Sequence, residues 1–277
     1  MRVRVLGSAA GGGYPQWNCH CRVCDAARAG ESRPRTQSSL AIRGDDGPWY
    51  LVNASPDLRQ QLELLDARVD GVRASPVAGV LLTDAEIDHT AGLLLMRESA
   101  APIRVYGSAG VERALRETVL PMLQRFSGVD WNTLHPERES PLEGSSLAIE
   151  PFDVSGDQTG FVFRDSGGTV TYVPGLARID GDVVGRLAAS DVVLVDGTFW
   201  HDDDLARLGI SDRTARDMGH VPLTGGTLEM LAGLERPRKI LVHINNTNPI
   251  LLEDSPEREA VVRAGVEVAY DGLEVDL

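Results

Sequence analysis

The sequence predicts a layered α/β protein, and three observations carry that expectation. Short, β-branched apolar runs recur between turn residues along the whole chain. Amphipathic segments fall between those runs and not in a block of their own. No repeat, low-complexity tract or Pro/Ser linker interrupts the alternation. Strands are expected at 3–6, 39–42, 49–53, 77–83, 103–106, 146–151, 169–173, 192–196, 239–244 and 266–270. Helices are expected at 88–97, 110–125, 181–189 and 226–233. β-rich layered enzymes often run to 277 residues as one folding unit, so a single domain spanning 1–277 is expected.

Composition narrows the function classes. With 42% hydrophobic residues and no apolar run long enough for a bilayer, the chain reads as a soluble globular protein with a sizeable core and no membrane span. Its first residues, Met1 to Gly7, lack the apolar core and cleavage site of a signal peptide, which points to the cytoplasm. Lys and Arg number 27 against 41 Asp and Glu, a net charge of −14. That balance disfavours a nucleic-acid backbone as partner and favours a small substrate.

The three cysteines, Cys19, Cys21 and Cys24, lie within six residues. A C-x-C-x-x-C loop lets three thiolates converge on one soft cation, and a thiolate-rich site of this kind is closed and structural, which points to zinc. His20, between two of them, is expected to point away. A second cluster, Thr83-Asp84-Ala85-Glu86-Ile87-Asp88-His89, falls where a buried strand should end and a helix begin. Its carboxylates could bind a metal or cap the helix N-terminus, where negative charge is favoured. Asp196, His220 and His243 follow at or near the ends of later strands, where ligands from several strands can meet. Arg35, Gln37, Arg213 and Arg216 are candidates for binding substrate carboxylates, a role suited to the forked guanidinium. Gly11-Gly12-Gly13 lacks the spacing of a nucleotide-binding loop and reads as a tight turn.

The stretch TDAEIDHTAG at 83–92 resembles THxHxDHxxG, the metal signature of the metallo-β-lactamase superfamily, with both early histidines replaced. The resemblance implies a layered αββα metallo-β-lactamase fold. In dinuclear members one metal takes the two early histidines and a third downstream; the other takes the Asp-His pair and a late histidine, with a bridging aspartate. By position, Asp88, His89, Asp196 and His243 keep the second set, while Asp84, Glu86 and a residue near Gln158 stand where the first was. One active metal is therefore expected, and Asp84 with Glu86 could still recruit another. Two imidazoles with carboxylates and open positions suit Fe(II) that activates dioxygen, whereas two-metal hydrolysis loses half its equipment.

Longer stretches, VLGSAAGGGYPQWNCHCRVC, PRTQSS, NASPDLRQQ, LVDGTFWHDDDL, RDMGHVPL and KILVHINNTNPIL, are similar to the B-protein family of pyrroloquinoline quinone (PQQ) biosynthesis, in the same order and from end to end. That resemblance implies a cytoplasmic, iron-dependent hydroxylase acting with dioxygen on a tyrosine-derived, Glu-Tyr-type precursor, with a structural zinc at the cysteines. His220 would be the catalytic histidine facing substrate, in proton transfer or substrate binding. In a related phosphodiesterase group a histidine three residues after the late ligand completes the cysteine site; here that position is Asn246. The family carries a longer, Pro- and Tyr-rich insertion where this chain has only Val154-Ser155-Gly156-Asp157-Gln158, which suggests a more open pocket or a different substrate. The other readings are the same hydroxylation on another peptide-derived aromatic amino acid, a metal-dependent phosphodiester hydrolase, and a non-catalytic PQQ carrier.

Overall fold

The computed structural model describes residues 1–45, 47–65, 69–155 and 158–277. The chain divides into two compact units, each assembled from separated segments. The first comprises Met1–Gly7, Ser38–Gly168 and Gly272–Leu277; the second comprises Ser8–Gln37 and Thr169–Asp271.

In the first unit β1 (Arg2–Gly7), β2 (Ser39–Arg43), β3 (Trp49–Val52), β4 (Val77–Leu81), β5 (Ile103–Gly107) and β6 (Val129–Thr133) form one sheet in sequential order, with the C-terminal strand Glu274–Asp276 outside β1. The C-terminal strand through β3 pair antiparallel, and β3 through β6 pair parallel. Alternate residues such as Trp49 and Leu51, Ile103 and Val105 join one apolar cluster with Leu93, Val111, Leu115 and Leu120 from the helical segments. A two-residue side-chain period along the strands sets which residues enter it. The remaining strands, β7 (Ser140–Pro141), β8 (Ala148–Ser155) and β9 (Gln158–Arg164), pair antiparallel.

Two expected helices come out broken, each for a local reason. The 110–125 segment is Ala109–Arg116 followed by Val119–Leu123. Pro121 has no N–H and its ring collides with a carbonyl four residues back, so it is tolerated only in the first turn of a new helix. The 88–97 segment is one α-turn, Ile87–Thr90, then a 3₁₀ stretch, Ala91–Met96. There Ala54 takes both backbone groups that would continue the α-helix: its N–H donates to the His89 carbonyl at 2.7 Å, and its carbonyl accepts from Gly92 N–H at 2.8 Å.

In the second unit β10 (Thr169–Val173), β11 (Val192–Asp196), β12 (Arg238–Val242) and β13 (Val266–Val268) are all parallel and adjacent in order. The helices Gly181–Ala189, Leu228–Ala232 and Pro256–Arg263 occur in the successive crossovers. Parallel strands end on one edge, and ligand groups on open sheets gather at the carboxyl ends of strands. Asp196 is the last residue of β11, and His243 follows β12 directly. The Ser8–Gln37 segment is closed on itself by the bridges Ala9↔Gln37 and Tyr14↔Arg35 and joins the rest of this unit by the bridge Ala9↔Ile244. Among the described residues no helix is long and apolar enough to cross a membrane.

Candidate metal centres

In the first unit β4 ends and the chain turns through Thr83 and Asp84 into the helix that carries Asp88 and His89. Asn53, at φ 64°, leaves β3 and pins this turn: Thr83 N–H donates to Asn53 Oδ1 at 3.0 Å, and Asn53 Nδ2 donates to Thr83 Oγ1 at 3.0 Å. Asp84 does not cap the helix. Its oxygens lie 2.8 and 2.7 Å from His89 Nδ1, a contact in which Nδ1–H donates, and they also accept from Glu86 N–H and Thr83 Oγ1. With Nδ1 so used, Nε2 is the nitrogen of His89 that could take a metal. Nε2 stands 3.6 Å from Asp88 Oδ2, so the two candidate ligand atoms are neighbours. Burial works against a charged His89, yet Asp84 and then Asp88 outweigh it and raise its pKa to about 9. Asp84 itself is held below the usual carboxylate range, since His89 and the donors around it overcome the effect of burial.

The expectation that Asp84 and Glu86 could recruit a second ion therefore meets a competing use of Asp84, whose carboxylate is committed to orienting His89. Asp84, Glu86 and Gln158 do border a cavity of about 270 Å³, and Gln158 Oε1 is buried there without a partner among the described residues. Gly156 and Asp157, in the short connection before Gln158, lie outside the described residues.

The second unit gathers Asp196, His220 and His243, whose ligand atoms all lie within 4.8 Å of one another. Asp196 is 1% exposed; its Oδ2 accepts from Leu176 N–H at 2.8 Å and lies 2.6 Å from His220 Nδ1. Asp196 Oδ1 accepts from Thr198 N–H at 2.9 Å. Thr198 Oγ1 is 2.5 Å from that oxygen and 2.8 Å from both Nδ1 and the backbone oxygen of His243. One hydroxyl proton serves one oxygen, so Thr198 Oγ1 accepts from His243 Nδ1–H, and Nε2 is the nitrogen of His243 that could take a metal. The His220 and His243 rings stack with centroids 5.4 Å apart. Burial opposes the charge on Asp196, but His220, then His243 and Thr198, hold its pKa below the usual range. His220 thus stands among ligand-type groups, close enough to coordinate as well as to transfer protons.

The cysteine sulfurs also lie within 4.8 Å of one another. Cys21 caps the helix Arg22–Arg28, and Cys24 within it is fully buried. Asn246 Nδ2 donates to Cys24 Sγ at 3.2 Å, and its backbone oxygen lies 3.7 Å from the same sulfur. Burial, with Cys19 and Cys24 alongside, pushes the Cys21 thiol up to about 12. A cation that neutralises the thiolates removes this penalty. His20 is 77% exposed on its side chain and turns toward Asp25 at 3.5 Å, away from the sulfurs as its position suggested. Both donor sets fit a metal: sulfur-rich and closed at the cysteines, imidazole and carboxylate at Asp196, His220 and His243.

Residues 48–244 match the model of the beta-lactamase superfamily domain. The chain is 45% identical to the coenzyme PQQ synthesis protein B of Cupriavidus taiwanensis, with 99% of each chain covered, and 43% identical to that of Methylococcus capsulatus over the whole of both. The chain belongs to the coenzyme PQQ synthesis protein B family. Its structure is similar to that of Zn²⁺-bound PqqB from Methylobacterium extorquens, with a TM-score of 0.93 and 39% identity over the full length of both chains. The fold is accordingly the layered αββα fold of the metallo-β-lactamase superfamily, as the sequence predicts. The alignment with the Cupriavidus relative runs to 308 positions against the 277 residues of this family member, so the relative carries residues that this chain lacks.

Two side chains beside the candidate ligands carry no assignment in the sequence pattern. Thr198 lies in the LVDGTFW stretch, where a threonine two residues after a strand-end aspartate is a common turn-former and the one local hint. Asp84 stands in the motif where a metal-binding histidine is replaced, and its partnership with His89 is visible only in the folded chain. Gln37 is used structurally, accepting from Gly12 N–H at 3.0 Å in the glycine turn. Arg213 donates to the Asp217 backbone at 3.0 Å.

Proposed function

We propose that this chain is a metal-dependent enzyme of PQQ biosynthesis, working as one domain over 1–277 in the cytoplasm, and specifically an Fe(II)- and O2-dependent hydroxylase of a tyrosine-derived, Glu-Tyr-type precursor. The observation that carries the reading is the cluster of Asp196, His220 and His243, the first and last of them buried, in a chain with full-length relatives in that pathway. The active metal would be held by Asp88, His89, Asp196 and His243, the set given by the motif, and a structural zinc by Cys19, Cys21 and Cys24. Bound there, iron would supply the redox chemistry that lets dioxygen react with an aromatic ring. Hydroxylation puts one oxygen atom into a ring C–H bond and sends the other to water, which takes two electrons from an added reductant.

The residues of the chain would prepare that site. Asp84 and Thr198 hold the Nδ1 sides of His89 and His243 and so aim Nε2 of each. Asp196, fixed by Leu176 and Thr198, stays ionised in a dry surrounding. His220, with Nδ1 against Asp196, would use its other nitrogen to bind substrate or move a proton at the ring hydroxyl. The partners are then a small amino-acid-derived substrate and dioxygen, with neither nucleic acid nor membrane.

Oxygen uptake tests this reading. Anaerobically purified protein loaded with Fe(II) should consume dioxygen when given a Glu-Tyr-type peptide and reductant, and should return a product heavier by one oxygen atom. Phosphodiester cleavage without oxygen uptake would replace the reading with a hydrolase, and tight quinone binding without turnover would replace it with a carrier.

A further inference from the structure

A pocket of about 530 Å³ in the second unit is lined by Arg33, Arg35, Arg258, Glu253, Glu259 and Tyr270, among others, none of them a candidate metal ligand. Its unusual member is Arg35, which is only 5% exposed. Nε of Arg35 donates to the Ala269 carbonyl at 3.3 Å, while Nη1 is buried with no hydrogen-bond partner among the described residues. Arg33 donates to the Asp271 carbonyl at 3.1 Å and lies 4.5 Å over the Tyr270 ring. Arg258 donates from Nη1 to the Ile250 carbonyl at 3.1 Å. Each guanidinium thus spends an N–H on a backbone oxygen, and among the described residues none is paired with a carboxylate.

The nearby acids act on these guanidiniums at a distance and form no ion pair with them among the described residues. Glu259 is committed to Arg263 at 2.6 Å. The Asp271 carboxylate already accepts from the backbone and hydroxyl of both Ser8 and Thr36. Glu253 acts on Arg258 only at longer range. Burial and then the like charge of Arg258 pull the Arg35 pKa down to about 10, and the charge of Asp271, acting the other way, does not offset them. A buried guanidinium left unpaired is costly, whereas forked N–H groups bind carboxylate or phosphate oxygens strongly.

We propose that this pocket binds the oxyanion of a small ligand, a carboxylate or phosphate group, on the Arg33, Arg35 and Arg258 guanidiniums beside the Tyr270 ring. The site is separate from the metal chemistry and stands whether or not the hydroxylase reading does. Metal-loaded protein is titrated calorimetrically, and its thermal unfolding followed, with inorganic phosphate, acetate and chloride at constant ionic strength. Phosphate or acetate should bind and raise the melting temperature where chloride does not, and the stronger of the two identifies the group. Arg33→Gln and Arg258→Gln should each weaken binding tenfold or more. Arg35→Lys, which keeps the charge and loses the fork, should do the same with an unchanged circular dichroism spectrum. No oxyanion binding by the unsubstituted protein overturns the proposal. So does binding that survives undiminished in both Arg33→Gln and Arg258→Gln, because the anion is then held elsewhere, as at a metal.

Discussion

His89 in the first unit and His220 in the second each set Nδ1 against a buried carboxylate, at 2.7 and 2.6 Å, yet the two carboxylates differ in kind. Asp84 lies outside the ligand set given by the motif and is free to act purely as an orienting partner. Asp196 is itself a candidate ligand, so the oxygen that meets His220 is also one a metal would want. The difference teaches that the first unit presents a histidine already aimed by a dedicated acceptor. In the second unit the ligand geometry is shared through one hydroxyl, Thr198, which touches Asp196 and His243 together.

The largest effect should come from removing ligands outright. A His89→Ala/His243→Ala variant should lose one metal per chain and all measurable turnover while keeping the cysteine-bound metal; Cys21→Ser should do the reverse. Elemental analysis reads both, and simultaneous loss of both metals in either variant would break the separation drawn between the sites.

Gly92→Ala attacks the seat of His89 from behind. A Cβ at Gly92 would meet the Ser55 carbonyl oxygen at 2.2 Å and that of Ala54 at 2.7 Å, and neither backbone atom can swing aside. Overpacking of this kind costs about 3 kcal/mol, which chemical denaturation would detect. An unchanged midpoint would mean that the 54–55 segment yields.

Asp84→Asn sharpens the comparison directly. Losing an acceptor that orients a ligating histidine typically weakens metal affinity by about 10- to 100-fold. Thr198→Val should cost a similar factor but through both Asp196 and His243, so combining the two changes should be close to additive. Strong coupling between them in a double-mutant cycle would show that the two arrangements act as one.

The smallest effect is a pH dependence of the metal-free protein. The pKa of His89 is raised from 6.5 to about 9 in the folded state. A raised folded-state value means that the stabilisation is complete below about pH 6.5 and is lost as pH climbs through about 9. Urea midpoints should therefore fall across that window, and the fall should vanish in Asp84→Asn. Metal binding at His89 should release a proton within the same window.

Much of this was legible because it is local. The cysteine loop and the 83–92 motif hold their chemistry within a few residues, and β10 and β11 have the boundaries their β-branched runs predict. The helix Pro256–Arg263 was legible too and was missed: Ser255 caps it, Pro256 opens it, and Glu257 and Glu259 lie in its first turn. The break in the 110–125 helix was likewise announced by Pro121. The sequence by itself thus determined the fold class, the family and the residues able to ligate, since spacing and residue type decide those. Only the tertiary structure decided which nitrogen of His89 and His243 meets an orienting partner, that Asp84 orients and does not cap, and that Arg35 is buried without an ion pair among the described residues. Each of these depends on atoms brought together from distant strands and loops, and no local pattern encodes the hydrogen-bond partner that such an approach supplies.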